Sequence, residues 1–158
     1  EGGTRNVGVD EVVLYEDRIY AEVIPDSQGA HVRPLMIKLV LKTKGIDKVI
    51  VITDGTKDSG VREGREITGQ PGDDLNFNEH GLCGSRLTMD RAARNMMVHT
   101  QASLVDVFLM ASLNPAKVLG IDHAVGSIEP WKIANLLLVD EEINVKRVFF
   151  KGSEIGAS

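Results

Sequence analysis

The sequence predicts an α/β fold on three observations. Val49-Ile50-Val51-Ile52-Thr53 is an unbroken, β-branched run, the pattern of a strand covered on both faces as in parallel sheets. A helical stretch, Val32 to Lys44, precedes it; Pro34 suits a first helical turn and Gly45 the left-handed residue that closes one. Further upstream lies a stretch rich in Val, Ile and Tyr, from Val7 to Ile24. Strand, helix and buried strand make a βαβ unit, whose crossover is right-handed.

The elements follow in order. Val7 to Ile24 reads as one or two strands, with a turn at Glu16-Asp17-Arg18. Pro25-Asp26-Ser27-Gln28-Gly29 carries turn chemistry. After His31, the helix places Leu35, Met36, Leu39 and Val40 on one face. The strand that ends at Thr53 delivers Asp54 to its C-terminal end, where functional side chains gather in parallel sheets. Gly55 to Gly81 is polar and Gly-rich, with a short hairpin around Arg65–Thr68 and Leu75–Phe77; a loop this long is usually functional or mobile. Met89 to Thr100 returns to helix. Ser103-Leu104-Val105-Asp106 is a capping-box pattern that opens Leu104 to Ser112. Asn114-Pro115 reads as a second helix start, capping Ala116 to Leu119 before Gly120. In the tail, Gly126-Ser127-Ile128, Asn135 to Val139 and Lys146 to Phe150 read as short strands. A boundary near Gly120 divides the chain into residues 1–120 and 121–158.

Composition excludes several classes. The 158 residues are 42% apolar, the balance of a globular chain. A net charge of −5 and a pI near 5.4 speak against a nucleic-acid partner. The apolar stretches Leu35–Leu41 and Leu136–Val139 are too short to span a membrane. A single cysteine, Cys83, excludes an internal disulfide and a multi-Cys zinc site. The chain opens on Glu1-Gly2-Gly3-Thr4 without a secretory pattern, so a cytoplasmic protein is expected.

Asp54 is the residue whose position points to chemistry. A carboxylate at the mouth of a parallel barrel can hold a metal-bound water and act as its general base; a capping or turn Asp in Thr53-Asp54-Gly55 fits the same position. His31 stands at a helix start, where backbone N–H groups favour polar or anionic ligands, or is a surface histidine without a role. His80, His99 and His123 have no partner at ligand spacing. His99 falls on a solvated helix face, and His80 on a loop beside Gly81-Leu82-Cys83-Gly84-Ser85. Cys83 is a nucleophile or, more simply, a small buried thiol. Gly84-Ser85 could present backbone N–H groups to a phosphate or hydroxyl, or be a plain turn. Arg5 could grip a phosphate with two bonds or project into water.

Five segments, in their usual order, resemble the later part of the N-acetylglucosamine-6-phosphate deacetylases. Ile19-Tyr20-Ala21-Glu22-Val23-Ile24 with Asp26 and Gly29-Ala30-His31-Val32 looks like the family's strand and Asp-Gly-x-His-Val motif. Val51-Ile52-Thr53-Asp54-Gly55 is similar to its Val-Thr-Asp-Ala motif, and Leu82-Cys83-Gly84-Ser85-Arg86-Leu87-Thr88-Met89 to its Leu-Ala-Gly-Ser-x-Leu-Thr-Met segment. Ala111-Ser112 with Asn114-Pro115-Ala116-Lys117 and Leu119-Gly120, then Gly126-Ser127-Ile128, complete the set. The resemblance implies the C-terminal part of a (β/α)8 barrel plus strands of a small β-sandwich. It implies hydrolysis of the N-acetyl group of a phosphorylated amino sugar by an enzyme that needs a divalent metal, zinc or similar. Asp54 would take a proton from metal-bound water and return it to the leaving amine, with a metal contact of its own as a further role. His31 would contact the substrate, Leu82, Cys83 and Gly84 would line the sugar pocket, and Arg5 would bind phosphate.

Three departures accompany the resemblance. The family's metal-binding Glu and two His lie upstream of this segment, so the chain alone is expected to be inactive. It is also expected to pair with the missing N-terminal part or with copies of itself, since an open barrel exposes strand edges. The Asp26–His31 motif is two residues longer than usual. Trp131, Ile133 and Asn135 stand where a Gly-Lys-Asp-Ala-Asp pattern is common. Two competing expectations are a hydantoinase- or dihydroorotase-like cyclic amidase and a non-catalytic α/β module.

Overall fold

The computed structural model describes residues 6–57, 59, 61–62, 65–66 and 72–156, with 61, 62, 65 and 66 described by their backbone alone. Its centre is the expected βαβ unit. Strand β1, Ala21–Val23, and strand β2, Val49–Val51, pair in parallel, with Ala21 opposite Val49 and Val23 opposite Val51. Helix α2, Pro34–Lys44, makes the crossover, with Pro34 in its first turn and Gly45 closing it at φ +72°. All three β2 residues are buried, as the unbroken apolar run requires.

Upstream of β1 the strand expectation is corrected. Val9–Tyr15 is helix α1. Val9, Val12 and Val13 recur at helical spacing, and Asp10 and Glu11 sit in the first turn, where they complement the positive end of the helix dipole. The Glu11 carboxylate also accepts the Gly8 N–H at 2.9 Å, closing the N-terminus. At the other end, the Lys44 ammonium donates to the Glu16 carbonyl at 2.5 Å and ties α1 to α2.

The buried face of α2 also differs from expectation. Ile37, Val40 and Lys44 are buried and Leu41 is partly so, whereas Leu35 is 79% exposed and Met36 and Leu39 are also exposed. Apolar residues occupy positions 35, 36, 37, 39, 40 and 41, wrapping more than half the helix. The sheet selects the stripe it touches, and periodicity alone cannot.

Beyond β2, two antiparallel hairpins replace the single expected one. Val61–Arg62 (β3) pairs with Arg65–Glu66 (β4), and Leu75–Asn78 (β5) with Gly81–Ser85 (β6). The part of the first expected strand at residues 67 and 68 lies outside the described residues. Helix α3, Met89–Thr100, has the expected limits and buries Ala92, Ala93 and Met96. Ser103 caps α4, Leu104–Phe108, in a reciprocal pairing with Asp106.

The second helix start becomes a continuation. Leu109–Leu113 widens into a π-helical turn, and α5, Asn114–Val118, follows without a break. Pro115 has no N–H and its ring crowds the carbonyl four residues back, so the helix widens just before it. Asn114 therefore stays helical (φ −63°) instead of capping, and its buried amide donates to the Ile46 and Val49 carbonyls at 2.7 and 2.8 Å.

Gly126–Ile128 is not the expected strand: Gly126 and Ser127 form a bend and Ile128 is irregular. The tail forms an antiparallel meander of β7 (Leu136–Val139), β8 (Val145–Phe150) and β9 (Ser153–Glu154). In the β7–β8 turn, the Asp140 carboxylate accepts from the Asn144 backbone and side chain at 2.8 Å and pairs with Lys146 at 2.9 Å; these partners hold it below the usual carboxylate range. The same turn drives Ile143 into the core, almost fully buried and at φ +60°. One core results: Ala21, Val23, Val49 and Val51 from the sheet, with α2, α3, α4, the π-helical turn and Ile143 packed around them.

Candidate functional site

Asp54 stands where the parallel pair ends. The Ile52 N–H donates to the Val23 carbonyl at 2.9 Å, so the chains after β1 and β2 emerge side by side. Asp54 then turns out to solvent with a left-handed backbone, φ +48°. Its backbone is gripped by the end of β6. The Ser85 N–H donates to the Asp54 carbonyl at 2.8 Å, the Ser85 hydroxyl donates to the Thr53 carbonyl, and the Thr56 N–H donates to the Ser85 carbonyl at 2.9 Å. Gly84 completes the contact. A Cβ at this φ +61° residue would lie 3.0 Å from the Asp54 carbonyl oxygen, 3.7 Å from carboxylate Oδ2 and only 2.8 Å from Thr56 Cγ2. Two motifs thirty residues apart in the chain thus meet at one residue, Asp54.

His31 is placed by its own loop. Asp26 is fully buried and its carboxylate accepts the Gln28, Ala30 and His31 N–H groups at 3.0, 2.9 and 2.8 Å. The His31 ring Nδ1 lies 3.1 Å from the same carboxylate, which can only accept, so the ring proton belongs on Nδ1. Burial raises the carboxyl, but the bonds from His31, Ala30 and Gln28 outweigh it and leave Asp26 below the ordinary value. The His31 side chain is only 9% exposed, and its other nitrogen, Nε2, is buried without a hydrogen-bond partner among the described residues. His31 lines a cavity of about 780 Å³ together with Tyr20, Glu22, Arg33, Met36 and Val118. Asp54 does not line it. The two residues share one end of the sheet but not one cavity.

Gly29 makes this loop possible. It sits at φ +69°, and a Cβ there would come within 2.5 Å of Pro34 Cδ. The loop can therefore close tightly onto the start of α2 only with glycine at this point.

The other sequence candidates scatter. Leu82 and Cys83 lie on β6 before Gly84; Leu82 is exposed, and Cys83 is half-buried where a buried thiol was expected. Arg5 lies outside the described residues. His80 is exposed at the β5–β6 turn, 3.5 Å from Glu79, and His123 is also exposed. His99 corrects the expectation of a solvated face: it is half-buried, and Nε2 donates to the Asp26 carbonyl at 2.7 Å. Among the described residues no three His, Cys, Asp or Glu side chains converge, so those residues do not make a metal centre. No helix among them is long and apolar enough to cross a membrane.

Sequence reasoning missed Ser27, Asp74 and Asn95, which join the His31 loop to α3 through a buried carboxylate. A polar pair such as Asp73-Asp74 in the turn before β5 carries no periodic signal, so burial alone reveals it.

The family model described as "Amidohydrolase family" matches residues 33–155, most of the chain, including Asp54 and the β6 segment but not the Asp26–His31 loop. The chain belongs to the amidohydrolase family. This amidohydrolase chain is 31% identical to a provisionally named N-acetylgalactosamine-6-phosphate deacetylase of Escherichia coli (strain K12), over 94% of this chain and 90% of that relative. It is 34% identical to the N-acetylglucosamine-6-phosphate deacetylase of Bacillus subtilis (strain 168), over 94% of this chain but 38% of the relative. The crystal structure of N-acetylglucosamine-6-phosphate deacetylase from Pasteurella multocida superposes with a TM-score of 0.85 at 32% identity, covering 97% of this chain and 41% of that one. The chain therefore spans about two fifths of the longer relatives it matches.

Proposed function

We propose that this chain is the C-terminal part of a (β/α)8 barrel, with 121–158 contributing strands to a small β-sandwich. The barrel would hydrolyse the N-acetyl group of an amino-sugar 6-phosphate. The observation that carries the proposal is Asp54. It stands at the C-terminal end of a buried parallel strand with Gly84 packed against it, in a chain that deacetylases match over 94% of its length. Asp54 accepts a proton from the attacking water and returns it to the leaving amine, which its exposure at the strand end permits. His31, with Nδ1 held by Asp26, offers Nε2 to the acetyl carbonyl or a sugar hydroxyl. Leu82, Cys83 and Gly84 line the sugar side, and Arg5 binds the phosphate.

A divalent metal, zinc or similar, belongs to this proposal for the protein at full length; of its ligands, this chain offers at most Asp54. The 158 residues alone are therefore proposed to be inactive and to work beside an upstream barrel segment or a second copy.

The names of the relatives differ in the sugar, so both epimers enter the test. Acetate release from N-acetylglucosamine 6-phosphate and N-acetylgalactosamine 6-phosphate is measured with the protein at full length and with Asp54→Asn. The proposal expects release from at least one sugar and a loss of about 10²–10⁴-fold in Asp54→Asn, the range for a general acid–base group. Equal rates in the two proteins would remove Asp54 from the mechanism, and no release from either sugar would remove the substrate class.

A further inference from the structure

We infer that Asp74 is a positioning residue that fixes the His31 loop relative to the Asp54 loop; the inference rests on the deacetylase reading. Asp74 is fully buried. Its carboxylate faces the His31 loop: Oδ2 accepts the Ser27 N–H at 2.8 Å and Oδ1 accepts the Ser27 hydroxyl at 2.6 Å. From α3, the Asn95 amide donates to Oδ2 at 3.2 Å. The Ser27 hydroxyl oxygen in turn accepts the Gly72 N–H at 2.8 Å. The backbone of Asp74 faces the opposite way. Its carbonyl accepts the Arg86 N–H at 2.9 Å, next to Ser85, the residue whose N–H holds the Asp54 carbonyl.

One residue therefore spans the two loops that carry the proposed chemistry. Asp26 does a different job, since its carboxylate bonds Gln28, Ala30 and His31 within its own loop. Asp26 sets the internal shape of the loop. Asp74, helped by the His99 bond to the Asp26 carbonyl, sets where that shape stands in the molecule. A buried carboxylate is tolerated only with strong donors, and here two of the three donors come from Ser27. Asp74 touches no reacting atom in this scheme and acts on His31 through Ser27 and Asp26.

The test uses the protein at full length with Ser27→Ala, Asp74→Asn and the double variant. Imidazole nitrogen resonances of His31 report the placement of the ring without turnover, and acetate release gives kcat and KM. We expect each single variant to shift the His31 resonances. We expect kcat to fall about 10-fold or more and by more than KM rises, because a misplacement of about 1 Å can cost about 10²-fold. The double variant should be no worse than the worse single one, since both cut the same link. Asp54→Asn serves as the contrast, losing acetate release with the His31 resonances unmoved. Unmoved His31 resonances in folded Ser27→Ala and Asp74→Asn proteins, or kinetic losses that add, overturn the inference. Ser27→Ala keeps it testable where Asp74→Asn does not fold. If the wild type releases no acetate, the deacetylase reading fails while the His31 spectra still decide the role of Asp74.

Discussion

Asp26 shows how a single buried carboxylate organises a loop and leaves a signature in pH. Its carboxyl titrates below the ordinary value of about 3.9 because the donors of its own loop prefer the charged form. A depressed folded pKa gives stability that is complete above the unfolded value and is lost as pH falls through the folded one. The urea midpoint should therefore decline as pH drops below about 4, and Asp26→Asn should flatten part of that decline. Midpoints measured between about pH 2 and 6 check this; an unchanged acid limb in Asp26→Asn would place the stabilising carboxylates elsewhere. Glu154, exposed, and Asp140, half-buried at the β7–β8 turn, are also depressed, but solvent reaches and screens both pairs and their share is small. Trp131 is the opposite kind of residue: fully exposed and held at φ +74°, a conformation glycine adopts without cost. The departure at position 131 thus carries backbone strain with no packing in return among the described residues.

At the scale of elements, the contact between the π-helical segment and β2 depends on Asn114. Its amide reaches two carbonyls, at Ile46 and Val49, that flank the start of β2. Replacement by Leu would leave both acceptors buried without that donor. The Ile46 carbonyl would keep the Val49 N–H, so we expect a loss of about 1–3 kcal/mol, read from urea or thermal unfolding, the range for losing the donor to a buried acceptor. A variant as stable as the wild type would show that water or a shifted helix replaces the amide. The π-helical turn has a cause visible in the chain, namely Pro115, but its use does not. Only the placement of β2 against this helix turns an expected cap into a buried cross-link. The same holds for α2, where the sheet selected Ile37 and Val40 over Leu35 and Leu39.

For the whole molecule, the parallel sheet contains only β1 and β2 among the described residues, so each strand has an outer edge without a strand partner there. Leu35, Val98, Leu119, Ile128 and Trp131 add large exposed apolar side chains. Open edges and apolar surface favour pairing with another chain. The 158 residues by themselves should therefore associate, with a sedimentation-derived mass that rises with concentration. A mass that stays monomeric over a wide range would mean that the edges are protected as they stand.

How much of this was legible in the chain differs by element. Val49–Val51, the Pro34 and Gly45 boundaries, Met89–Thr100 and the Ser103 cap were all readable, because each depends on local sterics, capping or an unbroken apolar run. Asp54 at the end of its strand was readable for the same reason. Val9–Tyr15 is a helix where a strand is expected, because a short Val-rich segment fits either period and only its Gly8–Glu11 cap points to helix. Gly126–Ile128 reads as a strand but forms none, because three small or apolar residues carry no period to test that reading. The meeting of Gly84 with Asp54, the orphaned Nε2 of His31 and the Asp74 bridge belong to the tertiary structure alone. The Gly84–Asp54 and Ser27–Asp74 contacts join residues 30 and 47 positions apart. Such contacts arise from the way the sheet and helices pack, which no local pattern encodes.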